Sequence, residues 1–338
     1  MNYELFRNFA CKISMNRINW IDWGKAIAVV TVVFCHLPQS QEWFYYRYLQ
    51  ACIITVFFFI SGYLKKDRED AGSRWSKYWR SLIKPYVIFN LLFYPYWLLK
   101  FYMKNDGMPS MVEAVMPLVK SVLLQPVDGP LWYLPAILIM HLIVDATRKM
   151  RYFHPIMIAL CVASFFLYAA NKYWVFAPGL VPMGVFRRLP YYYIGYVMGR
   201  KLLFREVRMQ RDALICVSCF FVSFLLFYWH LHEGNYLMHI ILFYAVNITF
   251  LFAVVSGCKL LNGYVPRFVL RLSTGTLVII GLHFILITIA NYLVAQVLHT
   301  GNICYHWYEA LPLSLLLVLI LYPAILLIER YYPSLIGR

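Results

Sequence analysis

Charged residues are scarce in this sequence. Of its 338 residues only 14% are Asp, Glu, Lys or Arg and just 15 are acidic, whereas 62% are hydrophobic. A soluble domain carries about 25% charged residues, so this composition excludes an ordinary soluble fold. The net charge of +16 does not indicate a nucleic-acid binder, because the cations lack the polar background of such a protein. We therefore predict an all-α integral membrane protein with no nucleic-acid partner.

Patterns typical of disulfide-rich or metal-binding proteins are also missing. Most of the eight cysteines lie in apolar segments, so no disulfide framework is predicted. The C-x-x-C of Cys216 and Cys219 lies in an apolar helix, where we interpret both as packing residues. No histidine group suggests a metal site, and no tightly bound cofactor is expected. Without a signal peptide, repeat or soluble domain, we expect one membrane domain over residues 1–338, with a short cytoplasmic segment at about 1–17.

Long hydrophobic runs are abundant. A window of about 19 residues suits a membrane helix, and it predicts about ten spans near residues 19–37, 51–64, 85–103, 131–147, 155–171, 189–204, 212–231, 236–258, 275–297 and 310–329. If both termini are cytoplasmic, roughly three quarters of the 31 basic residues fall in inside segments, as the positive-inside rule requires. We predict a polytopic helical bundle of about ten membrane helices with both termini cytoplasmic, in the cell (inner) membrane and surrounded by lipid.

The first span carries Lys25 and His36, which a hydrocarbon segment should lack. Ionisable residues inside a membrane are costly, and they are candidates for a functional site. Eleven residues at 100° each amount to three turns plus about 20°, so both side chains point to one face, about 16 Å apart along the axis. Asp22 lies on the same stripe, one turn before Lys25. This stripe indicates a buried reaction path, although an ion pair of Asp22 with Lys25 explains part of it equally well.

Several stretches together resemble the membrane acyltransferase-3 family. Ile21–His36 matches the family's basic residue, ten-residue gap and histidine in the first helix, with a lysine that the family admits beside arginine. Val56–Leu64, which reads VFFFISGYL, is similar to the family's aromatic run ending in Ser-Gly-Tyr. Lys77–Tyr86 resembles a basic pair before a proline at the third helix. Less specific landmarks follow at Gly129–Leu134, Leu189–Gly199 and Ser273–His283.

This resemblance implies transfer of an acetyl or other short acyl group from acyl-CoA to a hydroxyl of a surface polysaccharide or lipid-linked sugar. It places His36 at the catalytic centre, as general base or as transient acyl carrier. Lys25 and Asp22 are expected to belong to the catalytic group with His36, and Lys25 is also expected to contact the donor. Acyl-CoA is then a co-substrate, and the glycan is the acceptor.

Coenzyme A carries phosphates, so a cytoplasmic cluster of cations is expected to bind it. Lys77 and Arg80 match the family position, although lysine replaces the first of two arginines and loses a bidentate fork. Most other cations of this loop are explained by topology and by anionic lipids. Ser61 is a candidate for donor contact or for helix packing next to Gly62.

Acceptor contacts are predicted at Trp132, Arg187 and Arg188. Aromatic clusters near outside loops can stack on sugar rings, although an interfacial belt is the commoner role. Arg187 and Arg188 violate the charge rule at the outer edge of the sixth span, and they could meet an anionic sugar, a lipid diphosphate or only the interface. His283, in the ninth span, is expected to be a hydrogen-bonded core histidine.

Two other classes of protein remain open at this point. A transporter or flippase of lipid-linked sugars would favour inverted repeats or broken helices at matching positions, and none is evident. A glycan polymerase would be expected to carry a large polar outside loop, whereas the longest one here, at about 104–130, is modest.

Overall fold

The computed structural model describes residues 17–66, 70–105, 107–122, 124–127, 129–171, 179–201, 203–204, 206–299 and 303–336. These residues form helices joined by short links, with no strand among them. The predicted cytoplasmic segment at about 1–17 lies outside the described residues except for Arg17.

The helices follow the predicted spans closely. The α-helices are α1 Asn19–His36, α2 Phe44–Tyr63, α3 Ala71–Tyr78, α4 Lys84–Asn105, α5 Met111–Ser121, α6 Tyr133–Thr147, α7 Phe153–Ala170, α8 Leu180–Arg200, α9 Met209–His232, α10 Tyr236–Leu260, α11 Arg267–Thr274, α12 Thr276–Leu298 and α13 Trp307–Tyr331. Each predicted span coincides with one helix of 15 residues or more. A π-helical segment, Trp79–Ile83, joins α3 to α4, and short 3-10 segments lie at Gly129–Trp132 and Pro333–Ile336.

Eight of these elements are long and apolar enough to cross a membrane. The two remaining long helices, α1 and α8, carry the polar residues that matter for the site. Helix α8 begins nine residues before the predicted sixth span and contains Pro190. Arg187 and Arg188, predicted at the edge of that span, therefore lie within the helix. Their charges and the prolines lower the hydropathy of this stretch, so the hydropathy window placed the start of the helix too late in the sequence.

Glycine contacts hold α2 and α8 together. A Cβ on Gly195 would lie 2.2 Å from the carbonyl oxygen of Phe59, and one on Gly199 would lie 2.2 Å from that of Tyr63. Only glycine permits this approach, as in small-xxx-small pairs of membrane helices. Because the residue numbers of the contacting positions increase in the same direction along both helices, α2 and α8 run parallel. The start of α8 therefore lies at the end of the bundle where α1 finishes, which we name the His36 end; the opposite end is the Lys25 end.

Helix α1 occupies the centre of the bundle and packs against α2, α10, α11, α12 and α13. Its apolar residues are largely buried, so its polar stripe must face protein or a cavity. Helices α9 and α10 form the most extensive helix pair and share a buried ion pair, in which the Lys259 ammonium lies 2.9 Å from the Asp212 carboxylate. This ion pair joins α9 to α10.

The α1 stripe faces α11 and α12, which are two pieces of one interrupted helix. The interruption at Gly275 separates Thr274 from Thr276, and a Cβ on this glycine would lie 2.5 Å from Ile325. Irregular backbone at membrane depth is tolerated where it is buried in protein or lines a cavity. Here the break brings hydroxyl side chains next to α1.

Candidate active site

Two histidines meet at the His36 end of the bundle. The His36 Nδ1 lies 3.1 Å from the His283 Nε2, and the ring centroids are 4.9 Å apart. His283 is fully buried on α12, while His36, in the last turn of α1, is partly exposed. Phe284 packs against the His36 ring at 4.9 Å. The Nδ1 of His36 is thus engaged by His283, and no side-chain partner of its Nε2 is found among the described residues.

Backbone carbonyls define the tautomers of this pair. The His283 Nδ1 lies 3.0 Å from the carbonyl oxygen of Ile279 and 2.9 Å from that of Ile280. Two acceptors around one nitrogen require that it carry the proton, since a neutral imidazole has one donor and one acceptor nitrogen. The His283 Nε2 is then an acceptor, and the His36 Nδ1–H donates to it. The Nε2 of His36 consequently holds a free lone pair.

His283 was expected to be a satisfied core histidine, and its backbone bonds fit that expectation. Sequence reasoning missed its second partner, His36. The available signal was the Ser273–His283 stretch, which resembles a family landmark but says nothing about distance from α1. The residues are 247 positions apart, and their contact arises only from the packing of α12 beside α1.

A polar cavity of about 290 Å³ lies at the Lys25 end. Helices α1, α2, α6, α11 and α12 and the π segment contribute to its wall. The polar lining residues are Arg17, Asp22, Lys25, Ser61, Ser81, Ser273, Thr274 and Thr276. The cavity therefore joins three of the predicted site residues, Asp22, Lys25 and Ser61, although Ser61 was assigned to a different role from the other two.

Within this cavity Asp22 is occupied by partners other than Lys25. The Arg17 Nε donates to one carboxylate oxygen at 2.6 Å, and a second guanidinium nitrogen donates to the other at 2.9 Å. The Ser273 hydroxyl donates to the carboxylate at 2.6 Å. Asp22 therefore forms its direct ion pair with Arg17, and no direct ion pair of Asp22 with Lys25 is found among the described residues.

The Lys25 side chain forms part of the cavity wall. Among the described residues no hydrogen bond or ion pair reaches its ammonium group, which lines the cavity wall instead. A cation inside a span costs about 2.5–3.5 kcal/mol on insertion scales, and the nearby Asp22 carboxylate offsets only part of that cost. A ligand that brings carbonyl or phosphate oxygens into the cavity would recover part of that cost.

The π segment connects this cavity to the predicted cationic pair. Ser81 and Leu82 of the segment line the cavity, and the Ser81 hydroxyl donates to the carbonyl oxygen of Lys77 at 2.8 Å. Arg80 is exposed, and its Nε donates to the carbonyl oxygen of Ser76 at 3.3 Å. Neither Lys77 nor Arg80 itself lines the cavity among the described residues. Single π turns occur often at functional sites, and this one places the pair beside the cavity.

A buried cluster holds the π segment against α6. Lys65, at the end of α2, contacts the Asp145 carboxylate at 2.7 Å, and it also donates to the Tyr78 hydroxyl. The Tyr78 hydroxyl in turn donates to Asp145. A network in which each member has a partner is rigid, so the position of the π segment relative to the cavity is set by tertiary contacts.

The predicted acceptor residues converge on α8. The Trp132 ring lies directly against Gly184, where a Cβ would be 2.0 Å from the ring. Gly184 and Arg188 are four residues apart and share one face of the helix. The Arg187 guanidinium lies 4.6 Å from the Tyr168 ring centre, and that of Arg188 lies 5.4 Å from the Phe243 ring centre. Trp132 and Arg188 thus lie within about one helical turn of each other, at the His36 end.

Neither arginine has a polar partner among the described residues. Arg188 is only 5% exposed, and its Nε and one terminal nitrogen are buried without a hydrogen bond, as is the Nε of Arg187. A cation–π contact contributes about 0.5–2 kcal/mol, less than the roughly 2.5–3.5 kcal/mol that a charge deep in a span costs. The aromatic contact therefore offsets only part of the cost of burying Arg188.

A second, larger cavity of about 630 Å³ lies between α6, α7 and α8 at the Lys25 end. Its lining residues are Arg148, Lys149, Phe153, His154, Tyr196, Val197, Arg200 and Lys201. From the sequence, these four cations could be interpreted only as evidence for the orientation of the helices. That they surround one cavity depends on how α6, α7 and α8 pack.

Together these features define a polytopic helical membrane protein with a histidine pair at one end of its central helix and a polar cavity at the other. Residues 18–329 match the family model described as an acyltransferase domain (Acyl_transf_3), and the chain belongs to the acyltransferase-3 family. The protein is thus a multi-pass membrane acyltransferase.

Comparison with curated proteins finds no match, and comparison with solved structures finds none either.

Proposed function

We propose that this acyltransferase moves an acetyl group from acetyl-CoA to a hydroxyl of a surface polysaccharide or lipid-linked sugar. The observation that carries the proposal is the histidine pair, which leaves the Nε2 of His36 as a free base. The charge pattern of the loops favours an orientation with the Lys25 end in the cytoplasm, and we assign the protein to the inner cell membrane as part of this proposal.

The Lys25 cavity is the proposed entrance for acyl-CoA. Lys25 and Ser61 would offer donors to the carbonyl oxygens of a pantetheine arm, and Lys77 and Arg80, next to the cavity-lining Ser81, would contact the phosphates. The thioester must then reach along α1 toward His36, about 16 Å from Lys25. Trp132 and Arg188, at the opposite end, would receive the sugar.

The proposed reaction needs one base and balances in two steps. The Nε2 of His36 takes the proton of the acceptor hydroxyl while that oxygen attacks the thioester carbonyl carbon. The tetrahedral intermediate then collapses, the carbon–sulfur bond breaks, and the thiolate of coenzyme A takes the proton from His36. The products are the O-acetyl ester and the free thiol, and His36 returns to its starting form.

Transient acylation of His36 would use the same nitrogen. In that route Nε2 attacks the thioester carbonyl carbon, the carbon–sulfur bond breaks, and coenzyme A leaves as its thiolate. The acceptor oxygen then takes the acetyl group as the nitrogen–carbon bond breaks, and the released hydroxyl proton neutralises the thiolate. The two routes differ in kinetics, since an acyl carrier predicts ping-pong behaviour and labelled enzyme in the absence of acceptor. Acid-quenched protein incubated with radiolabelled acetyl-CoA alone distinguishes them.

The decisive experiment is transfer of label from radiolabelled acetyl-CoA to candidate glycans by purified protein. We expect His36→Ala to lower the rate by about 10²–10⁴, the usual contribution of a general base. His239→Ala is a matched control, because His239 also stacks on a histidine, His230, at 3.7 Å, but between α9 and α10. A wild-type rate for the His36 variant would disprove the assignment.

A further inference from the structure

We propose that Arg188 is the anchor of an anion-binding site, so that the acceptor carries a phosphate or carboxylate close to the sugar that is acylated. The identity of this ligand as the acceptor rests on the proposed function, but the anion site itself does not. The argument starts from the charge of Arg188.

An arginine cannot relieve burial by losing its proton, because its guanidinium stays charged in proteins. Arg188 is nevertheless buried, and neither its Nε nor one of its terminal nitrogens has a hydrogen-bond partner. No described carboxylate forms an ion pair with it. Its neighbour Arg187 adds a second cation, again with its Nε unpartnered, so the local charge is doubled instead of balanced.

A guanidinium fork with free nitrogens matches the paired oxygens of a carboxylate or phosphate. The Trp132 ring lies one turn away on the same face of α8, against Gly184. The Trp132 ring stacks on Phe58, with ring centroids 5.7 Å apart, so the unpartnered guanidinium is the group that recognises the ligand, and its ligand is an anion. Two sources share this chemistry: the phosphate of a lipid-linked sugar and the carboxylate of an acidic sugar.

Thermal unfolding of the purified full-length protein tests the site without any acyl transfer. The probes are inorganic phosphate and D-glucuronate, with D-glucose and sodium chloride of equal ionic strength as controls. Because a ligand that binds only the native state raises Tm, we expect a rise of roughly 2 °C or more with at least one anion. A response to phosphate alone indicates the lipid-linked phosphate, and a response to glucuronate alone indicates the acidic sugar.

Arg188→Gln should abolish this rise and leave the ligand-free Tm equal to or above that of wild type, because it removes an unbalanced buried charge. Arg330→Gln is the matched control, since Arg330 lies over a tyrosine at 5.3 Å but is exposed, and its rise should persist. If Arg188→Gln does not fold, Arg188→Lys keeps the charge without the fork and should show a smaller rise.

The inference is overturned if neither anion shifts wild-type Tm beyond the chloride control, or if Arg188→Gln keeps the full shift. A ligand-free Tm that falls in Arg188→Gln, together with an absent anion response in wild type, would show that Arg188 is only a packing residue. A protein that binds the anion but does not transfer acetyl groups would contradict the proposed function alone.

Discussion

Replacement of His283 tests whether the histidine pair takes part in the reaction. In the resting pair the His36 Nδ1–H donates to a neutral acceptor at 3.1 Å. When the Nε2 of His36 takes the acceptor's proton, the same hydrogen bond acquires a positively charged donor. Hydrogen bonds between neutral groups contribute about 0.5–1.5 kcal/mol and those to charged groups about 1.5–3 kcal/mol. The interaction therefore strengthens by about 1–1.5 kcal/mol as the proton moves, which corresponds to roughly tenfold in rate.

We expect His283→Ala to lower kcat about tenfold, with little change in KM for acetyl-CoA, since the lost stabilisation appears only as charge develops. His283→Gln keeps a carbonyl oxygen that can accept from His36, and its kcat should lie between those of wild type and the alanine variant. Initial rates of label transfer from acetyl-CoA, measured on monodisperse protein, provide the comparison, with His239→Ala as the control.

Two outcomes would refute this reasoning. A wild-type kcat for His283→Ala, with a strongly impaired His36→Ala, would show that His36 works without its partner. Equal losses in the glutamine and alanine variants would show that the acceptor atom is irrelevant and that His283 only fills space.

Other residues offer independent tests. Lys25→Gln should raise KM for acetyl-CoA about tenfold if its ammonium contacts the donor, whereas exposed Lys100→Gln should not; equal KM values for wild type and Lys25→Gln would discard this role. Gly195→Val should prevent recovery of monodisperse protein in size-exclusion chromatography, because its Cβ would lie 2.2 Å from a backbone oxygen; normal recovery would mean that α2 and α8 can separate. Asp212→Asn should lower Tm markedly, since removal of one partner of a buried ion pair costs about 3–5 kcal/mol, and an unchanged Tm would contradict that account.

The positions of the helices could be predicted from hydropathy because each span needs its own apolar run. The starts of α2 and α8 could not. Helix α2 begins at Phe44, in an aromatic stretch that is equally typical of an interface belt. Helix α8 begins at Leu180, and its arginines and prolines lower the local hydropathy. Polar residues inside a span lower its mean hydropathy and make the span harder to detect, although such residues are the first candidates for a functional site.

The face that the α1 stripe presents was also predictable, since helical periodicity alone decides which side chains share a face. Asp22 and His36 indeed meet the same interrupted helix, through Ser273 and His283 respectively. The identity of those partners was not predictable, because they lie 251 and 247 positions away along the chain. Periodicity places a residue on a surface, and only packing shows what the surface meets.

Lys25 shows why tertiary structure was needed to separate a structural charge from an available one. Asp22 lies three residues away, at a spacing that favours an ion pair on a helix, so sequence proximity pointed to mutual neutralisation. The planar fork of Arg17 instead reaches both oxygens of Asp22, a geometry that lysine cannot match. Ser273 completes the coordination from α11. The acid is therefore bonded by residues outside the stripe, and the Lys25 side chain lines the polar cavity without a direct ion pair to a described residue, which is why we propose it as a contact for acyl-CoA.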